Sequence, residues 1–163
     1  MTAFSWRAAL AGGLTGACVL TLLHETARRS GLPGAPRMDA MGMRAIARAL
    51  RKLDQTPPPR DTLFGLAFLG DLVSNSAYYS LVGVSNDAQQ IWMRGALLGL
   101  AAGVGAAYLP PRIGLGHQPG DRPPATQIMT VAWYLAGGLA AAAAAGHLGS
   151  GNDGVPTDPH TRV

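Results

Sequence analysis

Four apolar blocks, separated by Pro/Gly-rich and basic stretches, constrain this chain more than any other feature. They read as bilayer-crossing helices over about 4–24, 62–83, 88–109 and 126–148. The second of these, Thr62 to Gly83, reaches roughly 33 Å at ~1.5 Å per residue, against a hydrocarbon core of about 30 Å. Composition agrees with lipid as the solvent. Charged residues make up only 13% of the chain, about half the usual share of a soluble domain. The fold class expected is all-α, an integral membrane bundle of four transmembrane helices plus a cytoplasmic interfacial amphipathic helix. Residues 1–148 form one membrane domain, and 149–163 read as a disordered tail with almost nothing to bury.

The first block, Ala8 to Leu23, would suit a signal peptide, but it runs straight into the charged flank HETARR with no small-x-small cleavage site, so it reads as a retained span. Gly12 and Gly16 form a GxxxG pair for close helix packing. Cys18, the single cysteine, excludes an intramolecular disulfide and reads as a packing residue.

After a Gly/Pro loop, residues 39–54 read as an amphipathic helix with Asp39 as N-cap. Met38, Met41, Ala45, Ile46, Ala49, Leu50 and Leu53 recur at helical spacing. Arg44, Arg48, Arg51 and Lys52 project mostly elsewhere, as in a helix lying over anionic lipid headgroups. Pro57, Pro58 and Pro59 stop it.

A short link, VSNDAQQ, joins the second and third spans and implies that they pack as an antiparallel hairpin. Ser85, Asn86 and Asp87 are N-cap types. The third span carries Gly95, Gly99 and Gly103 at four-residue spacing, a small-residue stripe for helix packing, and ends before Pro110. The fourth, Thr126 to Leu148, carries Trp133 and Tyr134 early and closes in an Ala/Gly run suited to shielding by neighbouring helices.

Ten of the 13 basic residues fall in the connections 24–61 and 110–125; only Arg7, Arg94 and Arg162 fall elsewhere. The positive-inside rule places those connections in the cytoplasm and both termini outside. The Ala/Gly/Arg/Pro-rich composition suggests a bacterial plasma membrane.

The candidate site is a buried polar cluster of Asp71, Ser74, Asn75 and Tyr78, with Arg94 on the next helix as the obvious counter-charge. Tyr79 extends the same polar face. An acid at bilayer depth faces a bundle interior or a water-filled cavity, and it marks an ion, proton or substrate path or a polar pin between helices. His24 and Glu25 read as a cytoplasmic gate toward Asp71, or as a solvated helix end with Glu25 paired to Arg28 and Arg29. No metal site is expected, since His24, His117, His147 and His160 lie in separate elements. No nucleophile elbow or phosphate loop is visible, so an enzyme is not expected, and no cofactor is implied. The functional expectation is a transporter-like, channel-like or transport-accessory protein working through Asp71. The alternative is a non-catalytic assembly module acting by helix packing and lipid contact. The partners expected are anionic lipids and, because a polar face in so small a bundle invites covering, a second copy as a homodimer; nucleic acid is not expected.

Overall fold

The structure is a computed structural model and describes residues 5–85 and 87–149. Beyond Gly149, the expected disordered tail with His160 and Arg162 lies outside the described residues, as does Asn86. The described residues form five α-helices and no strand: α1 Trp6–Ser30, α2 Met38–Lys52, α3 Arg60–Ser80, α4 Ala88–Arg112 and α5 Ala125–Gly149. A 3-10 turn, Leu81–Val84, extends α3. Three helices, α1, α4 and α5, are long and apolar enough to cross a membrane. The shorter α3 is interrupted by Asp71, Ser74, Asn75 and Ser76 and falls below that mark.

Local chemistry sets the helix ends. Ser5 caps α1, its hydroxyl accepting from the Ala8 N–H at 3.3 Å. Gly31 stops α1 in the left-handed region, at φ 66°, where a side chain would be strained. The helix therefore runs through the polar HETARR flank. Asp87 caps α4 by accepting from the Gln90 N–H at 2.8 Å. Two sequence expectations fail at helix ends. Asp39 is not an N-cap: α2 begins at Met38, behind Arg37, and the Asp39 carboxylate turns back to pair with the Arg37 guanidinium at 2.7 Å. Nor does α4 stop before Pro110. It continues through Pro110 and Pro111 to Arg112, because a proline near a C-terminus costs only the few carbonyls it leaves unpaired. The Arg112 guanidinium donates to the Tyr108 carbonyl at 2.8 Å, and the Pro110 and Pro111 carbonyls still accept from Leu115 and Gly114.

The helices pack in the order α4, α5, α1, α3, α2. Each of the first four runs antiparallel to its neighbour, as the pairs in contact show. Gly16 lies against Gly137 and Ala141 of α5, while Gly12 lies against Ala141 and Ala145. Gly13 of α1 faces Ser76 and Ser80 of α3, and Gly83 lies against Ala8 and Ala9. At the other end of the same pair, the Arg28 guanidinium sits over the Phe64 ring, 5.6 Å from its centroid. So α3 and its turn cover almost the whole length of α1.

The seam between α4 and α5 is closest. A Cβ placed on Gly95 would lie 2.5 Å from the Gly138 carbonyl oxygen, one on Gly99 2.8 Å from the Tyr134 carbonyl oxygen, and one on Gly103 2.7 Å from the Val131 Cα. No side chain fits at those distances, so the glycines let two backbones touch. This arrangement departs from the expected hairpin: α3 and α4, though antiparallel and joined by a short link, meet only through the turn after α3 and the Tyr78 hydroxyl at Leu98, while the main face of α4 packs on α5. The small-residue face of α4 matches Gly138 on α5, whereas the bulkier α3 offers no such groove.

The core is made of small and aromatic residues, with Leu20, Tyr79, Val82, Ile91, Ala141 and Ala145 all but sealed from solvent. Large apolar side chains point outward on every long helix, among them Leu14 and Leu22 of α1, Leu69 and Val73 of α3, Leu97 and Val104 of α4 and Ile128 of α5. A belt of that extent is foreign to a water-soluble monomer.

Candidate functional site

A face of α3 written Phe64, Ala67, Phe68, Asp71 and Ser74, at three- and four-residue spacing, turns toward α1 and α2. The three helices do not close on each other there. They leave a cavity of about 360 Å³, walled by Met38, Met41 and Ile46 of α2, by Phe64 and Phe68 of α3, and by Thr21, His24, Glu25 and Arg28 of α1. Gly42 lets α2 come close to α3, since a Cβ there would lie 3.0 Å from the Ala67 Cβ. The volume lies within the ~300–1,000 Å³ range of small-molecule sites.

The charges around this cavity differ in how they are satisfied. Glu25 is held by two guanidinium groups, Arg28 at 2.5 Å and Arg29 at 2.6 Å. Asp39 is paired with Arg37. Burial works to raise the Asp39 pKa, but the hydrogen bond and charge of Arg37, with the Ala40 N–H and the charge of Arg28, outweigh it and leave the carboxyl below its usual range. Among the described residues no cation pairs with Asp71. Its Oδ1 accepts one hydrogen bond, from the Asn75 amide at 3.0 Å, and the same amide also donates to the Asp71 carbonyl at 2.9 Å. His24 is the second unsatisfied group: both ring nitrogens are buried and neither has a hydrogen-bond partner among the described residues. Its ring meets Trp133 and Tyr134 of α5 edge-on, with centroids 5.3 and 5.8 Å apart.

The cluster read from sequence is thus divided. Asp71 and Ser74 line the cavity, and so do His24 and Glu25 from α1. Asn75 is buried behind Asp71 and holds it. Tyr78 and Tyr79 point away: the Tyr78 hydroxyl donates to the Leu98 carbonyl of α4 at 3.0 Å, and the buried Tyr79 hydroxyl donates to the Tyr134 carbonyl of α5 at 2.7 Å. Arg94 does not pair with Asp71, which corrects the expected ion pair; it makes no salt bridge with any described residue. The reason is depth: Tyr78 of α3 meets Leu98 of α4, and on these antiparallel helices Asp71 lies about two turns to one side of that contact while Arg94 lies about one turn to the other. Sequence reasoning missed Arg28, Phe64, Phe68 and the methionines of α2 as lining residues. The Phe64–Ser74 spacing carried the signal for α3; nothing in the chain said that α2 would be the lid.

The basic side chains of α2 also divide. Arg44 donates to the His117 carbonyl at 2.6 Å and to the Leu115 carbonyl at 3.3 Å. Arg48 donates to the Gly114 carbonyl. With the Arg37 N–H donating to the Gln118 side chain at 2.5 Å, these bonds strap α2 to the loop between α4 and α5. Arg51 and Lys52 are exposed. Among the described residues no three His, Cys, Asp or Glu side chains gather as metal ligands.

The chain matches no known protein family, no curated protein and no solved structure.

Proposed function

We propose that this protein is a small polytopic membrane protein that binds and passes a proton or a small monovalent cation at Asp71, in the manner of a transporter, channel or transport subunit. One observation carries the reading: the Asp71 carboxyl faces a cavity between α1, α2 and α3 and has an amide, but no cation among the described residues, paired with it. A carboxyl so placed is satisfied by a proton or by a visiting cation, and His24, on the α1 side of the cavity, supplies it with no charge partner. The nearby Glu25 and Asp39 are already neutralised by arginines, so the free negative charge of the cavity is concentrated on one residue.

The reading takes α3 as a fourth span. Support comes from its antiparallel match to α1 from Phe64 to Gly83: two helices packed along the same length share the same depth of bilayer. The outward Leu69 and Val73 agree with acyl chains as neighbours. With four spans, the basic connections face the cytoplasm, α2 lies at that surface, and both termini lie outside. The Asp71 cavity then opens under α2 in the cytoplasmic half.

The test is flux in proteoliposomes, read for protons with an enclosed pH dye and for alkali cations and small amines by uptake. A gradient-driven flux that Asp71→Asn abolishes, with helicity and monodispersity intact, is the expected result. Flux unchanged in that variant removes Asp71 from the path. No flux of any of these species in the unaltered protein overturns the transport reading.

A further inference from the structure

A second hollow, of about 470 Å³, lies on the opposite side of α2 from the Asp71 cavity. Four arginines line it and no carboxylate does: Arg44, Arg48 and Arg51, one above another on α2, and Arg60, the first residue of α3. Arg44 and Arg48 each use part of a guanidinium on loop carbonyls, which fixes their position and leaves N–H groups over. Arg51 and Arg60 make no hydrogen bond or ion pair with any described residue. The start of α3 adds more donors, since Pro59 has no side chain that could cap its first N–H groups. Four cations around one hollow repel each other until an anion sits between them, and forked guanidinium groups suit phosphate oxygens.

We infer that this hollow is a discrete binding site for the phosphate of an anionic phospholipid, held between α2, the start of α3 and the Gly114 loop. The lipid is favoured over free phosphate because the floor of the hollow is apolar, with Met43 and Leu63, and would take the first carbons of an acyl chain. The site clamps α2 onto α3, so the lid of the Asp71 cavity is held by lipid. It does not depend on what Asp71 binds, only on residence in a membrane.

Lys52 separates this inference from general attraction to a charged surface. It carries the same charge as its neighbour Arg51 but does not line the hollow. The full chain in maltoside micelles is titrated with fluorescently labelled phosphatidylglycerol, with labelled phosphatidylcholine as the uncharged comparison. Arg51→Gln and Arg60→Gln are each expected to weaken phosphatidylglycerol binding roughly fivefold, the contribution of one basic residue at an anionic surface, and Lys52→Gln to leave it nearly unchanged. Both arginines are exposed and bonded to no described residue, so their loss should leave the fold intact, with circular dichroism as the check. Equal weakening by Lys52→Gln would reduce the site to diffuse surface charge and overturn it. Equal binding of phosphatidylcholine would do the same. Competition by inorganic phosphate at micromolar concentration would reassign the hollow to a soluble anion; failure of phosphate to compete supports the lipid.

Discussion

The two sides of α1 are built on different plans. Toward α5, and beyond it α4, the contacts are glycine and alanine against backbone, with Gly16 on Gly137 and Gly95 on Gly138. Away from α5, α1 meets α3 just as closely at one end, where Gly13 lies on Ser76 and Gly83 on Ala8 and Ala9, but at the other end, around Asp71, α1, α2 and α3 stand apart and leave a hollow. The difference follows from residue size. Where both faces are small, backbones approach until they touch, and dispersion over the whole seam holds the helices. Where Phe64, Phe68, Met38 and Met41 stand between the helices, the axes are held apart and the remaining space is polar at a few points only. One side is a rigid frame, and the other is a chamber fixed to it.

The largest effect expected from breaking this contrast comes from Gly99→Leu. The site has no room, with the Tyr134 carbonyl oxygen 2.8 Å from any added Cβ, so α4 must leave α5 at a cost of about 3 kcal/mol or more. Unfolding by denaturing detergent, followed by circular dichroism, measures it; an unchanged midpoint would mean that the seam is looser than described. A matched insertion on the other side should do far less. Ile46→Phe adds bulk into the cavity and should change stability by no more than about 0.5 kcal/mol, while blocking access to Asp71. A large loss of stability there would show the chamber to be filled and tightly packed. The smallest effect is one of pH. The Asp39 carboxyl is held below its ordinary value of 3.8, so its pairing with Arg37 contributes stability above that value and loses it as pH falls through the lower folded value. The pair joins residues only two apart, so its loss should lower the unfolding midpoint slightly, and only below about pH 4. A fall in the midpoint of Asp39→Asn relative to the unaltered protein that persists at pH 3 would show that the difference is not this ionisation.

Much of this was legible in the chain. The apolar blocks and their Pro/Gly breaks mark the helices, because backbone hydrogen bonds and side-chain partition are local properties. Gly95, Gly99 and Gly103 announce a close approach, since a small-residue stripe lets two backbones meet; a glycine-lined pore is the other use that such a stripe offers. Asp71 stands out among apolar neighbours for the same local reason. The pairing of helices was less accessible. A short link between α3 and α4 suggested a hairpin, and with it the Asp71–Arg94 pair, yet linkage only brings two ends together. Which faces adhere depends on the match between surfaces, and Gly138 on α5 matched α4 better than anything on α3 did.

By itself, then, the sequence determined that the chain is helical, where the helices lie and that one acid is set among oily residues; it read four blocks as spans, of which three helices are long and apolar enough to cross a membrane. Only the tertiary structure decided that α5 and α1 form the centre, that α2 folds over α3 as a lid, and that Asp71 shares a chamber with His24 and not with Arg94. The reason is physical: helix formation and partition are sums over nearby residues, whereas a cavity is what remains when distant surfaces choose their best partners.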